Sequence, residues 1–513
     1  MFIQTIINNI ALLTYAPEIF LSCVLLFQLV LNARFVNNLN LHYPVVTKEV
    51  SDQVIVILAI VAYLYSFILA FCVEFSIISD FFCGTYLVKL LFIILSAFVV
   101  YIIQPAVLIQ RLSHWEYFSI YLIAVISLLL MISVDNLCAF YLVMEMQALC
   151  FYVMASMDKE SIFSAEAGLK YFISGSIISG FFLLGVSFIY GTLGTVDFVT
   201  IKLLLLNFDA FSDSVLYLNL FVGAILVIST LLFKLACAPF HFWAPDVYEG
   251  SPLSSTVIFS ILPKLSIVSF FFKFLDVFQV YSSKLGIFII YCGVLSALIG
   301  SFYALKQTKF KKLLIYSSIA QTGFLVAGIG AFTLNSKVAV LVFLVIYLIT
   351  SLLLWDLVIR FYTSVSLVAR FKKLPIHSLY ITDFSNLGKY NFGYAMALGM
   401  VCFSLGGIPF LTGFIAKMSI FEGLIRESFF IPAALLSFIS AVAVFYYIRV
   451  IKIFFFESKR YVKAHPAFAI FSNQQKGGRD FLFCCLLAFL IFSFFYPEPL
   501  YLLANYIVDS WFK

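Results

Sequence analysis

The chain reads as an all-α polytopic membrane protein with about 14 transmembrane helices, and three observations lead there. Of its 513 residues, 64% are hydrophobic and only 11% are charged, a balance far from that of water-soluble domains. The apolar residues run on without period-two alternation, which suits helices of about 20 residues and argues against a closed β-barrel. The few charges cluster between these runs rather than along one face of them.

Apolar runs bounded by polar residues place spans near 17–33, 53–73, 82–103, 116–133, 135–155, 166–191, 216–242, 254–275, 285–305, 313–331, 337–362, 394–424, 429–456 and 480–505. An even number puts both termini on one side. On this assignment about 21 of the 31 Lys and Arg fall in loops on one side and about 6 on the other. The basic side holds "KQTKFKK" (306–312), "RFKK" (370–373) and "ESKRYVK" (457–463), and is expected to face the cytoplasm or matrix, with both termini outward. Orientation and anionic lipid account for the net charge of +6, so no nucleic-acid partner is expected.

The N-terminal residues lack a basic n-region and a cleavage site, so no cleaved targeting segment is expected. Ten cysteines are scattered without CxxC spacing, and the only close pair, Cys484 and Cys485, is adjacent in sequence. The five histidines, His42, His114, His241, His377 and His465, fall mainly in or near loops. Neither pattern suits an iron–sulfur cluster or a bis-histidine haem, and the chain is expected to carry no electrons itself. Two long connections, 363–393 and 457–479, read either as solvated loops or as contacts with neighbouring subunits.

"APFHFW" interrupts the seventh span and "GGIPFLTGF" (406–414) interrupts the twelfth, five spans apart and each beside a lysine. Units of five helices are odd-numbered, so two in succession are inverted relative to each other. Inverted repeats with discontinuous helices are a common architecture of ion-translocating proteins, because a broken helix lines a wet cavity with free backbone groups. The expected organisation is three N-terminal helices (1–115), a first five-helix repeat (116–280), a second inverted repeat (281–456), and a basic loop with a last helix (457–513).

Four of the ionisable residues inside spans stand out: Glu145, Lys234, Lys264 and Lys417. Each ionised group at mid-span costs about 2.5–3.5 kcal/mol even on the most forgiving scale, roughly 10–14 for four left unpaired. They are therefore expected to be paired, hydrated or partly neutral. The simplest arrangement pairs Glu145 with Lys234, with Lys264 and Lys417 following in line. Desolvation opposes the charge on an ammonium while a nearby carboxylate restores it, so such a chain switches protonation with small changes of geometry or water. Pro239 and Pro409, at the breaks, would admit the water. Of the other candidates, Lys89 is expected to snorkel to an interface, Asp356 and Arg360 read as a local i, i+4 pair, and His241 with Trp243 as either an interfacial anchor or part of the break.

"LLFKLACAPFHFWAPDVYEGSP" (231–252) with "PKLS" (263–266) closely resembles the subunit 2 family of respiratory complex I, the subunit N family of bacteria. The likeness extends to "EAGLKYFISGSIISGFFLLGVSFIYGTLG" (166–194), "KQTKFKKLLIYSSIAQTGFLVAGIG" (306–330), "GGIPFLTGFIAK" (406–417) and "APEIF" near residue 15. The resemblance implies an antiporter-like proton-pumping subunit in which Glu145 is similar to the fifth-helix glutamate, Lys234 to its seventh-helix partner, Lys264 to the central eighth-helix lysine and Lys417 to the twelfth-helix lysine. It also implies that NADH, FMN, iron–sulfur clusters and ubiquinone are bound by other subunits, none by this chain. The implied partners are the other membrane-arm and accessory subunits and lipid, in the mitochondrial inner membrane or, in a prokaryote, the cytoplasmic membrane. Gln321 departs from the pattern, standing where the family commonly has histidine, and three N-terminal helices absent from the animal form are kept. The alternative reading is a subunit of a cation/proton antiporter, stand-alone or multisubunit, which shares the repeats and buried lysines.

Overall fold

A computed structural model describes residues 15–36, 80–110, 112, 115–206, 214–371, 380–385, 387–457 and 478–512, with scattered helical positions between 54 and 65. The expected second span, 53–73, lies largely outside the described residues, as do His42, His114, His377, His465 and residues 372–379 and 458–477 of the two long connections.

The described residues are helical, with two isolated β-bridges, Asn136 to Asp197 and Lys309 to Tyr380. In chain order the helices are α1 (Ala16–Val36), α2 (Asp80–Ile109), α3 (Trp115–Ser133), α4 (Leu137–Ala155), α5 (Ile162–Leu193), α6 (Phe198–Leu206), α7 (Ser214–Lys234), α8 (Trp243–Gly250) and α9 (Leu253–Val277). They continue with α10 (Ser282–Lys306), α11 (Phe310–Ile329), α12 (Leu334–Phe371), α13 (Leu387–Tyr390), α14 (Phe392–Gly406), α15 (Thr412–Arg426), α16 (Phe430–Phe455), α17 (Gly478–Phe495) and α18 (Glu498–Phe512). Among the described residues, 10 helices are long and apolar enough to cross a membrane, and up to 11 if the bent pair α17 and α18 counts as one span. That pair turns by 88° at Tyr496 and Pro497, so the final straight segment ends near 495 and not at 505. Proline has no N–H to continue the helical ladder and clashes with the preceding turn.

The chain divides into two compact units. One holds the residues up to Leu235, Asp246–Leu285 and the stretch from Asn505; the other holds Ala236–Pro245 and Gly286–Ala504. The first is built around α9, nearly every residue of which is buried, with α2, α3, α4, α6 and α7 packed on it. Within this unit α5 and α7 cross at Gly185 and Gly223, where a Cβ on either would come to 2.9 Å from the other's carbonyl oxygen. Lipid is as apolar as leucine, so helices in a bilayer gain by close backbone approach, and small residues permit it.

The second unit uses the same device over a longer seam. Gly286, Gly293 and Gly300 recur every seven residues on α10 and face Gly330, Ala327 and Ala320 along α11. A Cβ on Gly293 would lie 2.5 Å from the Ala327 nitrogen, and one on Gly300 2.5 Å from the Ala320 nitrogen. Here the obstacle is backbone, which cannot rotate aside as a side chain can. Arg360 of α12 meets Asp356 at 2.7 Å and also Asp480 of α17 at 2.5 Å, with the ring of Phe483 5.1 Å from the guanidinium. The local pair expected from spacing is thus one arm of a clamp between two helices.

Gly293→Val should destabilise the second unit by at least about 1–3 kcal/mol through overpacking and lower the amount of assembled protein on native gels. Gly180→Ala, where a Cβ would meet nothing within 4 Å, should accumulate normally.

Candidate functional site

Two helices stop inside apolar sequence, and each places a lysine at its carbonyl end. α7 ends at Lys234 itself, and residues 235–242 are irregular, with Ala236 at φ 57. Lys234 is therefore on the last turn of a helix rather than in mid-helix, and its side chain is buried. The last four carbonyls of a helix have no intrahelical donor and carry partial negative charge, so a cation there is favoured even away from water.

The second interruption is resolved carbonyl by carbonyl. Gly407 takes φ 81, a left-handed conformation natural only to glycine, and closes α14: its N–H donates to Ser404 O at 3.0 Å while Ile408 N–H donates to Phe403 O at 3.1 Å. That turn leaves the carbonyls of Leu405 and Gly406 without backbone donors. Gln321 Nε2, from α11, donates to Leu405 O at 2.9 Å, and Lys417 Nζ, from α15, donates to Gly406 O at 2.7 Å. Lys417 also lies 5.2 Å from the centroid of the Phe324 ring, within cation–π range. Pro409 sits in the linker between α14 and α15, where its missing N–H leaves no gap in a ladder.

One small cavity adjoins this lysine and a second adjoins Gln321. The first, of about 10 Å³, is lined by Lys417, Gln321, Thr350 and Ser404 among others; the second, of about 30 Å³, is lined by Gln321, Ser317, Ser318, Ser351 and Tyr447 among others. The hydroxyls of Ser317, Ser318, Thr350 and Ser351 each donate to a carbonyl one turn back on their own helix. Their protons are occupied and their lone pairs remain, so these hydroxyls are acceptors in linings that also include apolar side chains such as Phe343, Ile346, Leu354 and Trp355. Ser404 and Thr412 have hydroxyls with no protein partner. A polar cavity of this size holds a water that finds two to four partners.

In the first unit, Glu145 lies on α4 at the border between a buried face (Met144, Ala148, Phe151) and an exposed one (Leu142, Leu149, Val153). Its Oε1 has no hydrogen-bond partner, yet its charge is within electrostatic reach of Lys234 and of Tyr152. The two are not in direct ion-pair contact: no pair closer than 4.0 Å joins them among the described residues. Lys264 is buried on α9, directly after Pro263. Glu145, Lys234 and Lys264 belong to the first unit and Lys417 to the second.

Between α7 and α8, the Ala238 N–H donates to Ser296 Oγ at 3.0 Å, tying the irregular segment that carries Pro239 to α10. His241 and Trp243 are both buried, 5% and 7% exposed, so the side chain at the surface is Phe242, 76% exposed. An anchoring role for the pair is overturned by that burial. Asp246, on α8, pairs with Lys170 of α5 at 3.1 Å. Hydropathy found the lysines but missed Gln321, because an uncharged amide in a span gives no signal until the orphan carbonyl it serves is known. Among the described residues, no group of three or more His, Cys, Asp or Glu is placed to hold a metal.

An interrupted helix whose carbonyl end holds a buried lysine, in an all-helical membrane chain, is the construction that ion-translocating proteins with discontinuous helices use. The family described as NADH:quinone oxidoreductase/Mrp antiporter, TM, matches residues 133–444, and the chain belongs to it. It is 31% identical over 493 residues to the NADH-ubiquinone oxidoreductase chain 2 of Marchantia polymorpha, covering 95% of this chain and 96% of that one. With the NADH-quinone oxidoreductase subunit N of Rhodospirillum rubrum it shares 35% identity over 346 residues, 67% of this chain and 68% of the other. Its fold is similar to a chain of respiratory complex I from Thermus thermophilus, with a TM-score of 0.69 at 21% identity, over 95% of this chain and 99% of that one.

Gln321→Leu should leave the Leu405 carbonyl without a donor and destabilise the protein by about 1–3 kcal/mol, read as a lower unfolding midpoint of the purified assembly. Gln321→His, which retains a donor, should stay close to the parent.

Proposed function

We infer that this chain is a proton-translocating subunit in the membrane arm of respiratory complex I. It works as part of NADH:quinone oxidoreductase, a translocase: NADH is oxidised and quinone reduced in other subunits, and the energy released moves protons through this one. Its partners are the other membrane-arm subunits and lipid. Flavin, iron–sulfur clusters and ubiquinone belong, on this reading, to those other subunits.

The observation that carries this reading is Lys417: a buried ammonium held by the open carbonyl end of a broken helix, beside a small cavity that Gln321, Thr350 and Ser404 also line. Such a group can exchange its proton with a cavity water while the Gly406 carbonyl keeps the side chain in place in both protonation states, since an amine still donates. Lys234 stands at a comparable helix end, with Glu145 near enough to favour its charged form when the carboxylate approaches and to release it on retreat. Lys264 would receive the proton between them, and Pro239 and Pro409 keep the two helices open to water.

We further read the chain as fourteen spans, with two inverted five-helix repeats at 116–280 and 281–456 and with helices seven and twelve interrupted. Three N-terminal helices (1–115) precede them, and a basic loop with the last helix (457–513) follows. The charge asymmetry of the loops supports an orientation with both termini toward the intermembrane space, or outward in a bacterial membrane.

In complex reconstituted into liposomes, Lys234→Met, Lys264→Met and Lys417→Met should each slow proton transfer about tenfold or more, as expected when a proton-transfer group is removed. Full pumping by all three in fully assembled complex would sink the relay. Cation/proton exchange by the isolated chain, without an NADH-oxidising assembly, would instead favour the antiporter alternative.

A further inference from the structure

The first unit contains a buried ion pair that the relay above does not use. Glu18, in the first turn of α1, and Lys89, on α2, meet at 2.5 Å with side chains 4% and 1% exposed. Lys89 therefore does not snorkel to an interface: it is enclosed against a carboxylate that sequence distance concealed. Such a pair is a poor way to join two helices. Taking both charges out of water offsets most of their attraction, and well-packed apolar side chains in the same place are often equally or more stable.

Other polar groups lie near this pair. The ring of Tyr15 lies 5.1 Å from Lys89 Nζ, and Tyr15 is within electrostatic reach of Asp135. Asp135 is ion-paired to Lys273 at 2.7 Å; the lysine is 10% exposed and the carboxylate 49%. Both lie within electrostatic reach of Lys89. The position of Asp135 is fixed by its backbone: its carbonyl accepts from Phe198 N–H at 3.0 Å, and the next residue, Asn136, caps α4 through the N–H groups of Cys138 and Ala139. Burial thus falls stepwise from Lys89 through Lys273 to Asp135.

We propose that Glu18 and Lys89 form a further proton-exchanging site of this chain, connected to water through Tyr15, Lys273 and Asp135. The proposal rests on the proton-translocating function inferred above. At rest the pair is a carboxylate and an ammonium. An arriving proton binds Glu18, which becomes a carboxylic acid and loosens its hold on Lys89, still an ammonium. The proton then passes from the Glu18 carboxyl to the Asp135 carboxylate and on to bulk water, restoring the pair. Only O–H bonds form and break, and no electron moves. Intramembrane ionisable groups mark proton relays more often than they stabilise a fold.

Two variants of the assembled complex in liposomes test this. Glu18→Gln combined with Lys89→Met removes both ionisable groups while filling their space. Asp135→Asn cuts the connection at a half-exposed side chain that folding tolerates. Both should move several-fold fewer protons per NADH oxidised. Lys234→Met, measured in parallel, separates the two readings. Pumping at the parent level in Asp135→Asn and in the double variant, but lost in Lys234→Met, overturns the proposal and leaves the function standing; undiminished pumping in all three overturns the function itself. If the double variant does not assemble, Asp135→Asn decides alone, with undiminished pumping counting against the proposal.

Discussion

The site depends on an ammonium held against the carbonyl end of a helix that stops inside apolar surroundings. A continuous helix would satisfy its own carbonyls and give a buried lysine nothing to bind. Once the helix ends, two or more carbonyls lose their donors, and a deficit of donors meets an excess of positive charge. At Gly406 the match is one to one: the glycine-closed turn uses two carbonyls, Gln321 takes a third and Lys417 the fourth. At Lys234 the helix and the charge end on the same residue. At Gly406 the break and the lysine are two halves of one electrostatic solution.

That solution requires rigid neighbours, because a carbonyl displaced by an ångström no longer accepts the bond. The glycine seam of α10 and α11 supplies them by bringing backbone against backbone with no side chain to yield. It also places Gln321, on α11, at a fixed distance from the end of α14. Ser317, Thr350 and Ser351 around the cavities bond to their own helices, and their lone pairs are left to solvate a proton carrier. Packing and polarity are thus assigned to different residues: glycines set the distances and hydroxyls set the chemistry.

The charges divide by what lies next to them. Arg360 is held by the carboxylates of Asp356 and Asp480 and serves to hold α17 against α12. Lys417 is matched by backbone dipoles and a small polar cavity, which stabilise a charge without fixing a proton's ownership. Glu18 and Lys89 resemble the first case in contact and the second in burial, and it is the burial, with other polar groups nearby, that sets them apart from a clamp.

The sequence by itself determined the membrane class, most span positions, the two interruptions and the lysines beside them, because hydropathy, glycine, proline and charge are local properties. Residues 231–252 and 406–417 also carried the family resemblance. What the sequence left open were relations between distant residues. Glu18 is far from Lys89 in the chain, Asp480 far from Arg360, and Gln321 far from the Leu405 carbonyl it serves; no periodicity encodes such meetings. The point at which the helix ends beside Lys234 was not legible either, since a hydropathy window runs on through residues 235–242 where the backbone has already left the helix. Tertiary packing decided these points, because an orphaned carbonyl or a buried charge acquires its partner only when helices far apart in sequence are brought to within hydrogen-bonding distance.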